Sequence, residues 1–454
     1  MTVATERAPE STGAGVSYPA APADARATGL GVESIVDLVL KTMYVQGSRT
    51  GQQLTDSLRL PFDIVDDRLL WLQERKYIEV LRTLGPSRGG YVFDLSGPGR
   101  ARAKEAMEAS QYVGPAPVPL TVYRTWIEKQ SVRNMHVSRE LIRAGFGHLV
   151  MPESLLEALG PAINSAGSIF LHGDPGNGKT VIAEAIATLM RGDLFIPYAV
   201  DVDGQILLLY DPVHHEIIDE DVPAGDGPGA WLRTVEDYDR RFVRVKRPTV
   251  FVGGELSLEQ LDLQYDPFTK IYQAPFQLKA AGGVLIIDDF GRQLVAPRDL
   301  LNRWIVPLEK RVDYLSLHTG VKFPVPFDSL LIISTNLNPE DLVDEAFLRR
   351  IQYKVNVDDP EPGQYEEIFR RECAKRDIPF TAHAIDHIYE LYYGQKGLMP
   401  RACHPRDILT QVANIARYEG NRPRLDDEIV DRACRSYFLV MSHQESHRKS
   451  RGAS

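Results

Sequence analysis

Residues 168–190 constrain the fold of this chain more than any other stretch. SIFLH, GDPGNGKT and VIAEAIATLM read as a short apolar strand, a turn with glycine at 173, 176 and 178, and a helix of good helix formers. The spacing G-x-x-x-x-G-K-[ST] is met in full by Gly173, Gly178, Lys179 and Thr180. Glycines let successive backbone N–H groups converge, the helix N-terminus adds positive potential, and a lysine ammonium sits within reach; a phosphate chain rewards all three. The expected cradle is Gly173, Asp174, Pro175, Gly176, Asn177, Gly178, Lys179 and Thr180. Lys179 would meet the β and γ phosphates of ATP, and the Thr180 hydroxyl would ligate Mg2+.

Such a cradle needs a carboxylate at the end of a neighbouring buried strand. In AAGGVLIIDDFGR, the run Val284–Ile287 suits a sheet covered on both faces, and Asp288 emerges where that strand would leave the core. Asp288 is therefore the expected second metal ligand, and Asp289 the group that orients an attacking water. A third strand, SLLIISTNLNP, ends in Ser334, Thr335 and Asn336, with Asn336 able to hydrogen-bond that water or a phosphate.

In this order the motifs GDPGNGKT, VLIIDD and Asn336 resemble those of the AAA+ ATPase superfamily over roughly residues 137–440. The resemblance implies an α/β fold: a P-loop three-layer αβα parallel sheet over 137–358, with a C-terminal α-helical lid over 359–440. It implies that Arg349 or Arg350, in DEAFLRRIQYKV, acts as an arginine finger on the neighbouring subunit of a homo-oligomeric ring, as in a hexamer. It also places Arg406, in HPRDIL, where the family starts a phosphate-sensing helix, with Arg401 as a substitute. One departure matters: the family commonly has Glu after the Asp288 position, and Asp289 is one methylene shorter, which implies slow hydrolysis.

Lys179 and Asp288 stand 109 residues apart, so the core must carry an insertion, expected over 195–275. Asp203-Gly204 signals a hairpin within it. RRFVRVKRPTVFV reads as a basic strand carrying Arg240, Arg241, Arg244, Lys246 and Arg247, by default a solvated edge protected by charge, with a grip on nucleic acid or on a neighbouring subunit's acidic face as the alternatives. DYLSLHTGVKFPVPF, a hairpin ahead of the Asn336 strand, resembles the branch with MoxR-type chaperones and enhancer-binding activators. That branch implies a pore for a protein client, with Phe268, Thr269 and Tyr272 as pore candidates; packing of these aromatics onto the sheet is the other reading.

Ahead of the core, 29–112 contains three helical patterns and two strand-like runs, resembling a winged helix-turn-helix domain. Eleven Lys plus Arg stand there against eleven Asp plus Glu, and its third helix opens with Asp63, Asp66 and Asp67. Carboxylates there would repel a phosphate backbone, so protein docking is favoured and nucleic acid is kept as the alternative, through Arg82 and Arg88. Residues 1–28 read as a disordered arm, 113–136 as a proline-bearing linker and 441–454 as a disordered tail.

The whole chain has 454 residues and a net charge of -10, which excludes a global basic field for nucleic acid. Three scattered cysteines argue against a disulfide framework or a zinc site, and His383 and His387 lack a third metal ligand. No run reaches the ~18 apolar residues of a membrane span, and a cytoplasmic protein is expected. The functional expectation is an ATP hydrolase that remodels a protein partner. The alternatives are a DNA-associated initiator, loader or activator, and an ATP-binding switch with little turnover.

Overall fold

The computed structural model describes residues 18–218, 238–339 and 348–438. The tail 441–454 therefore lies outside the described residues, as do 1–17 of the arm.

The N-terminal module has α1 (Val32–Gln46), β1 (Arg49–Thr50), α2 (Gly51–Leu58), α3 (Phe62–Glu74), β2 (Ile78–Thr83), β3 (Tyr91–Leu95) and α4 (Gly97–Ala109). Thr50 caps α2 through a reciprocal bond with Gln53. Ile64, Val65, Leu69 and Leu72 turn the apolar side of α3 inward. The strands pair in the order β1-β3-β2.

β4 (Val118–Pro119) and α5 (Leu120–Lys129) follow. Then come α6 (Arg139–Phe146), α7 (Glu153–Asn164), β5 (Ser168–His172) and α8 (Lys179–Leu189). The next elements are β6 (Asp193–Pro197), β7 (Ala199–Val202), β8 (Gln205–Leu208), β9 (Phe242–Lys246), β10 (Thr249–Val252), β11 (Gln264–Asp266), β12 (Ile271–Gln273) and α9 (Phe276–Lys279). β13 (Val284–Ile287), α10 (Pro297–Lys310), β14 (Val312–Ser316), β15 (Lys322–Pro326), β16 (Leu330–Thr335) and β17 (Tyr353–Asn356) complete the α/β part.

Its centre is a five-stranded sheet in the order β10-β13-β16-β5-β17, parallel throughout. Alternate side chains serve opposite layers, as the two-residue period of a strand requires. Ile169 and Leu171 pack with Ile182 and Ile186 of α8, whereas Phe170, Leu285 and Ile333 pack with Leu300 and Trp304 of α10. The result is the expected three-layer αβα fold. β16 lies between β5 and β13, so Asn336 leaves the sheet between the glycine loop and the Asp288 strand.

Beyond β17, α11 (Pro362–Lys375), α12 (Ala382–Ile388), a π-helical turn (Tyr389–Gln395), α13 (His404–Glu419) and helical residues 427–438 form the C-terminal lid. It has its own core around Tyr365, Phe369, Ile408, Leu409 and Val430.

Three expectations require correction. Residues 18–28 are packed: Asp239 N–H donates to Pro19 O at 2.7 Å, Tyr18 meets Phe195 edge-on at 5.3 Å, and Thr28 is buried. Their order comes from a distant strand, which local composition does not reveal. Residues 113–136 are not a free linker, because β4 pairs in parallel with β7 and α5 buries Tyr123, Trp126 and Ile127. The insertion is not one block over 195–275: β6 already begins at Asp193, and β10 belongs to the central sheet. Two excursions flank it, one forming β6–β9 and the other β11, β12 and α9.

The inserted sheet, ordered β11-β12-β8-β7-β4, is joined to the N-terminal module by apolar packing. Ala199, Ile206, Leu208 and Ile271 share a cluster with Leu54, Leu58 and Leu60. The Asp203-Gly204 turn between β7 and β8 has positive φ at both residues, 53° and 78°, as a two-residue hairpin wants.

Candidate functional site

At the C-terminal ends of β5, β13 and β16 lies a cavity of about 490 Å³ whose walls include Lys179, Thr180, Asp288, Asp289, Ser334 and Asn336. Its far side is built by His148–Met151 and by Ile368, Arg371 and Lys375 of the lid. The glycine loop takes the backbone its sequence predicts: φ is 135° at Gly173, 91° at Gly176 and 86° at Gly178. A Cβ on Gly173 would also stand 2.4 Å from Val357 O, so this glycine is required twice over.

The polar groups are matched to one another. Lys179 Nζ donates to the carbonyls of Gly173 and Asp174 at 2.9 and 2.8 Å. Burial lowers its pKa, against the opposing pull of Asp174, Asp288 and Asp289. Thr180 Oγ1 donates to Asp288 Oδ2 at 2.9 Å, and Ser334 Oγ also hydrogen-bonds Asp288. Asn336 Nδ2 donates to Asp289 Oδ1 at 2.7 Å. Asp289 has φ 50°, a left-handed backbone uncommon for a residue with a side chain.

A hydroxyl and a carboxylate side by side at the mouth of a glycine cradle form a hard oxygen donor set, which suits Mg2+. Among the described residues no cluster of three or more His, Cys, Asp or Glu could hold a metal. His383 and His387 instead face Asp427 and Asp431.

Arg406 lines the cavity and forms an ion pair with Asp407 at 2.8 Å. Arg401, the substitute that the sequence offers for Arg406, reaches Asp174 of the glycine loop at 2.6 Å and also pairs with Asp359. Arg349 and Arg350 do not line the cavity. Arg350 is paired with Glu309 of α10, whereas Arg349 is exposed. The first four residues of their segment, 344–347, lie outside the described residues.

Sequence reasoning missed Asp359, Gln293, Ala402 and Cys403 as parts of the site. Gln293 Nε2 donates to Asp288 O at 2.9 Å. None of these stands at a motif spacing, and only the folded chain brings them in.

The basic strand is internally satisfied. Arg241 is buried, with Nη2 donating to Asp239 Oδ2 at 2.8 Å and Nη1 to Thr28 O at 2.8 Å. Arg240 pairs with Asp56, Arg244 with Asp193, and Lys246 with Glu216, while Arg247 donates to Gln130 O and Gly282 O. Each of these five cations thus has an acceptor within the protein. Of the pore candidates, Phe268 is 84% exposed at the turn between β11 and β12. Tyr272 is buried and hydrogen-bonds His318, so it packs the insertion instead of lining a pore.

Comparison with known proteins adds partial likenesses. A family profile described as a domain of unknown function (DUF8689) matches residues 361–436, which is the lid. No curated protein matches the chain. Among solved structures, NtrX from Brucella abortus in complex with ATP is 14% identical, with 61% of this chain and 54% of that chain covered and a TM-score of 0.38. A RuvB mutant from Thermotoga maritima is 13% identical, covering 63% of this chain and 69% of its own, at a TM-score of 0.36. A MarR family regulator from Neisseria meningitidis is 26% identical over 16% of this chain and 51% of its own, at a TM-score of 0.16. The chain spans about half the length of the NtrX structures it matches.

Proposed function

We propose that this protein is a nucleoside triphosphatase of the AAA+ type that binds and hydrolyses ATP to move a protein partner. The observation that carries the reading is the convergence of Lys179, Thr180, Asp288, Asp289 and Asn336 on one cavity roofed by a helical lid. Lys179 would release its two loop carbonyls to hold the β and γ phosphates, and the glycine N–H groups would cradle them. Thr180 and Asp288 would hold Mg2+, which when bound offsets the charge of the phosphates. Asp289 would accept a proton from the attacking water, and Asn336 fixes that carboxylate.

Arg349 is the better finger candidate, because it is exposed while Arg350 is engaged by Glu309 of its own chain. A neighbouring subunit would bring it to the γ phosphate, which makes hydrolysis depend on ring assembly.

The partner is read as a protein because α3 is poorly suited to DNA. Asp63, Asp67 and Glu74 are exposed, spaced along one face of that helix, and Asp66 holds Arg88 of the wing at 2.7 Å. ATP binding measured by calorimetry and phosphate release measured across protein concentration test the proposal. Wild-type protein that takes up no ATP overturns it. Tight binding with no release at any concentration would favour a switch.

A further inference from the structure

The lid grips the glycine loop at a place the chemistry above does not use. Cys403 N–H donates to Gly176 O at 2.9 Å, and Ala402 N–H donates to Asn177 Oδ1 at 3.3 Å. Asn177 Nδ2 donates in turn to Asp359 Oδ1 at 2.6 Å. Arg401 Nη1 donates to Asp174 Oδ2 at 2.6 Å and also to Asp359 Oδ1. The fit leaves no slack, since a Cβ on Gly176 would stand 2.6 Å from Cys403 Sγ. The backbone of Arg401 is itself anchored in the lid, its N–H donating to His404 Nδ1 at 3.2 Å.

Charge makes this contact consequential. Asp174 belongs to the loop that would hold a triphosphate, so its carboxylate stands close to several further negative charges. Asp359 adds a second carboxylate at the same loop. One guanidinium, 15% exposed, is shared between the two. Asp359 is 22% exposed and Asp174 60%, so water screens Asp359 weakly and Asp174 in part, and removing the guanidinium would leave both carboxylates opposing an incoming phosphate.

We propose that Arg401 is a positioning residue for nucleotide binding: from the lid, it neutralises Asp174 and Asp359 and holds the loop in its anion-cradling shape. The inference rests on the ATP reading of the same site. It assigns Arg401 a task distinct from that of Arg406, which lines the cavity itself. It also ties lid position to phosphate affinity, because lifting the lid breaks the bonds to Asp174, Gly176 and Asn177 together.

The test is equilibrium binding of a fluorescent ATP analogue to the full chain. Arg401→Ala is expected to weaken binding about tenfold, the scale of one charge-assisted hydrogen bond. Adding Asp174→Asn removes one of the two carboxylates left bare, and the double variant should bind about threefold more tightly than the single one. A purely structural role for Arg401 predicts no such rescue. Arg401→Ala binding as tightly as wild type, or a double variant no better than the single one, overturns the inference. Should Arg401→Ala not fold, Arg401→Gln keeps most of the side-chain volume while dropping the charge, and the same rescue must appear or the inference fails. Wild-type protein that does not bind the analogue overturns the function itself, a result distinct from these.

Discussion

The basic residues between Arg240 and Arg247 and the polar residues around Lys179 satisfy their charges in different ways. Along β9 each cation has found an acceptor elsewhere in the chain, and the arrangement holds β6, the insertion and the N-terminal segment together. Around Lys179 the groups bond chiefly to one another, at the edge of a cavity, through contacts a phosphate and a metal can exchange. A cluster whose partners lie within the protein has a structural task, whereas one whose partners are mutual and open to a cavity is poised for a ligand. Each side of this contrast makes its own kind of prediction.

The largest effect is expected at Lys179. Lys179→Ala should lower kcat/KM for ATP by about 100- to 1000-fold, the range for loss of a preorganised charge donor. The melting temperature should stay close to that of wild type, since the lost bonds are to two loop carbonyls at the cavity edge. Phosphate release and a thermal melt on the same sample check both halves, and a collapse in stability would erase the contrast.

Arg241→Ala should do the reverse. Its guanidinium and the Asp239 carboxylate are both nearly enclosed, at 2% and 5% exposure. Removing one partner leaves a buried charge without compensation, a loss of about 3–5 kcal/mol. Urea denaturation should show that loss while ATP affinity of the folded fraction is unchanged.

Asp289→Asn comes next. It should cut kcat about 100-fold and leave ATP binding intact, because a general base typically contributes at least that much. Single-turnover phosphate release against equilibrium binding separates the two effects, and an unchanged kcat would remove Asp289 from the chemistry.

Much of this contrast was readable before folding on one side only. The cradle was legible because its requirements are local: three glycines, a lysine and a threonine within eight positions admit few other uses. The parallel sheet was legible because strands buried on both faces are written as unbroken apolar runs, as in Val284–Ile287 and in Leu330, Leu331, Ile332 and Ile333 of β16. The fate of the basic strand was not. Arg241 ends against Thr28, 213 positions away, and Arg240 against Asp56, 184 away, distances over which periodicity carries no information. The same holds for Arg401, whose acceptor Asp174 lies 227 positions earlier.

A smaller effect is expected from acid. Burial brings the His404 imidazole down to about 4, and burial likewise holds His215 at about 4. An unfolded histidine takes up a proton near pH 6.5, so below that point the unfolded state binds more protons than the folded one. The stability these two residues contribute is therefore present above about pH 6.5 and lost as pH falls toward 4. In the lid, His404 Nδ1 accepts from Tyr393 OH at 2.8 Å as well as from Arg401 N, and protonation removes that acceptor. His404→Asn, which keeps an acceptor without titrating, should flatten the dependence of the melting temperature on pH between 6.5 and 4.5. An unchanged slope would exclude His404 as a source.

The smallest effect belongs to Lys246, at the exposed end of the same basic strand as Arg241. Its side chain is 59% exposed and that of its partner Glu216 67% exposed, so water and salt already screen the pair. Lys246→Ala should therefore cost no more than about 0.5 kcal/mol in urea denaturation. Were β9 a nucleic-acid surface, Lys246 would be among its most available cations, and its loss should reduce retention on duplex DNA with a shallower salt dependence. The internal pairing of Arg240, Arg241, Arg244 and Arg247 predicts instead that wild type and variant elute together at every salt concentration. A difference between them would mean that the internal pairing of this strand does not exclude a nucleic-acid role.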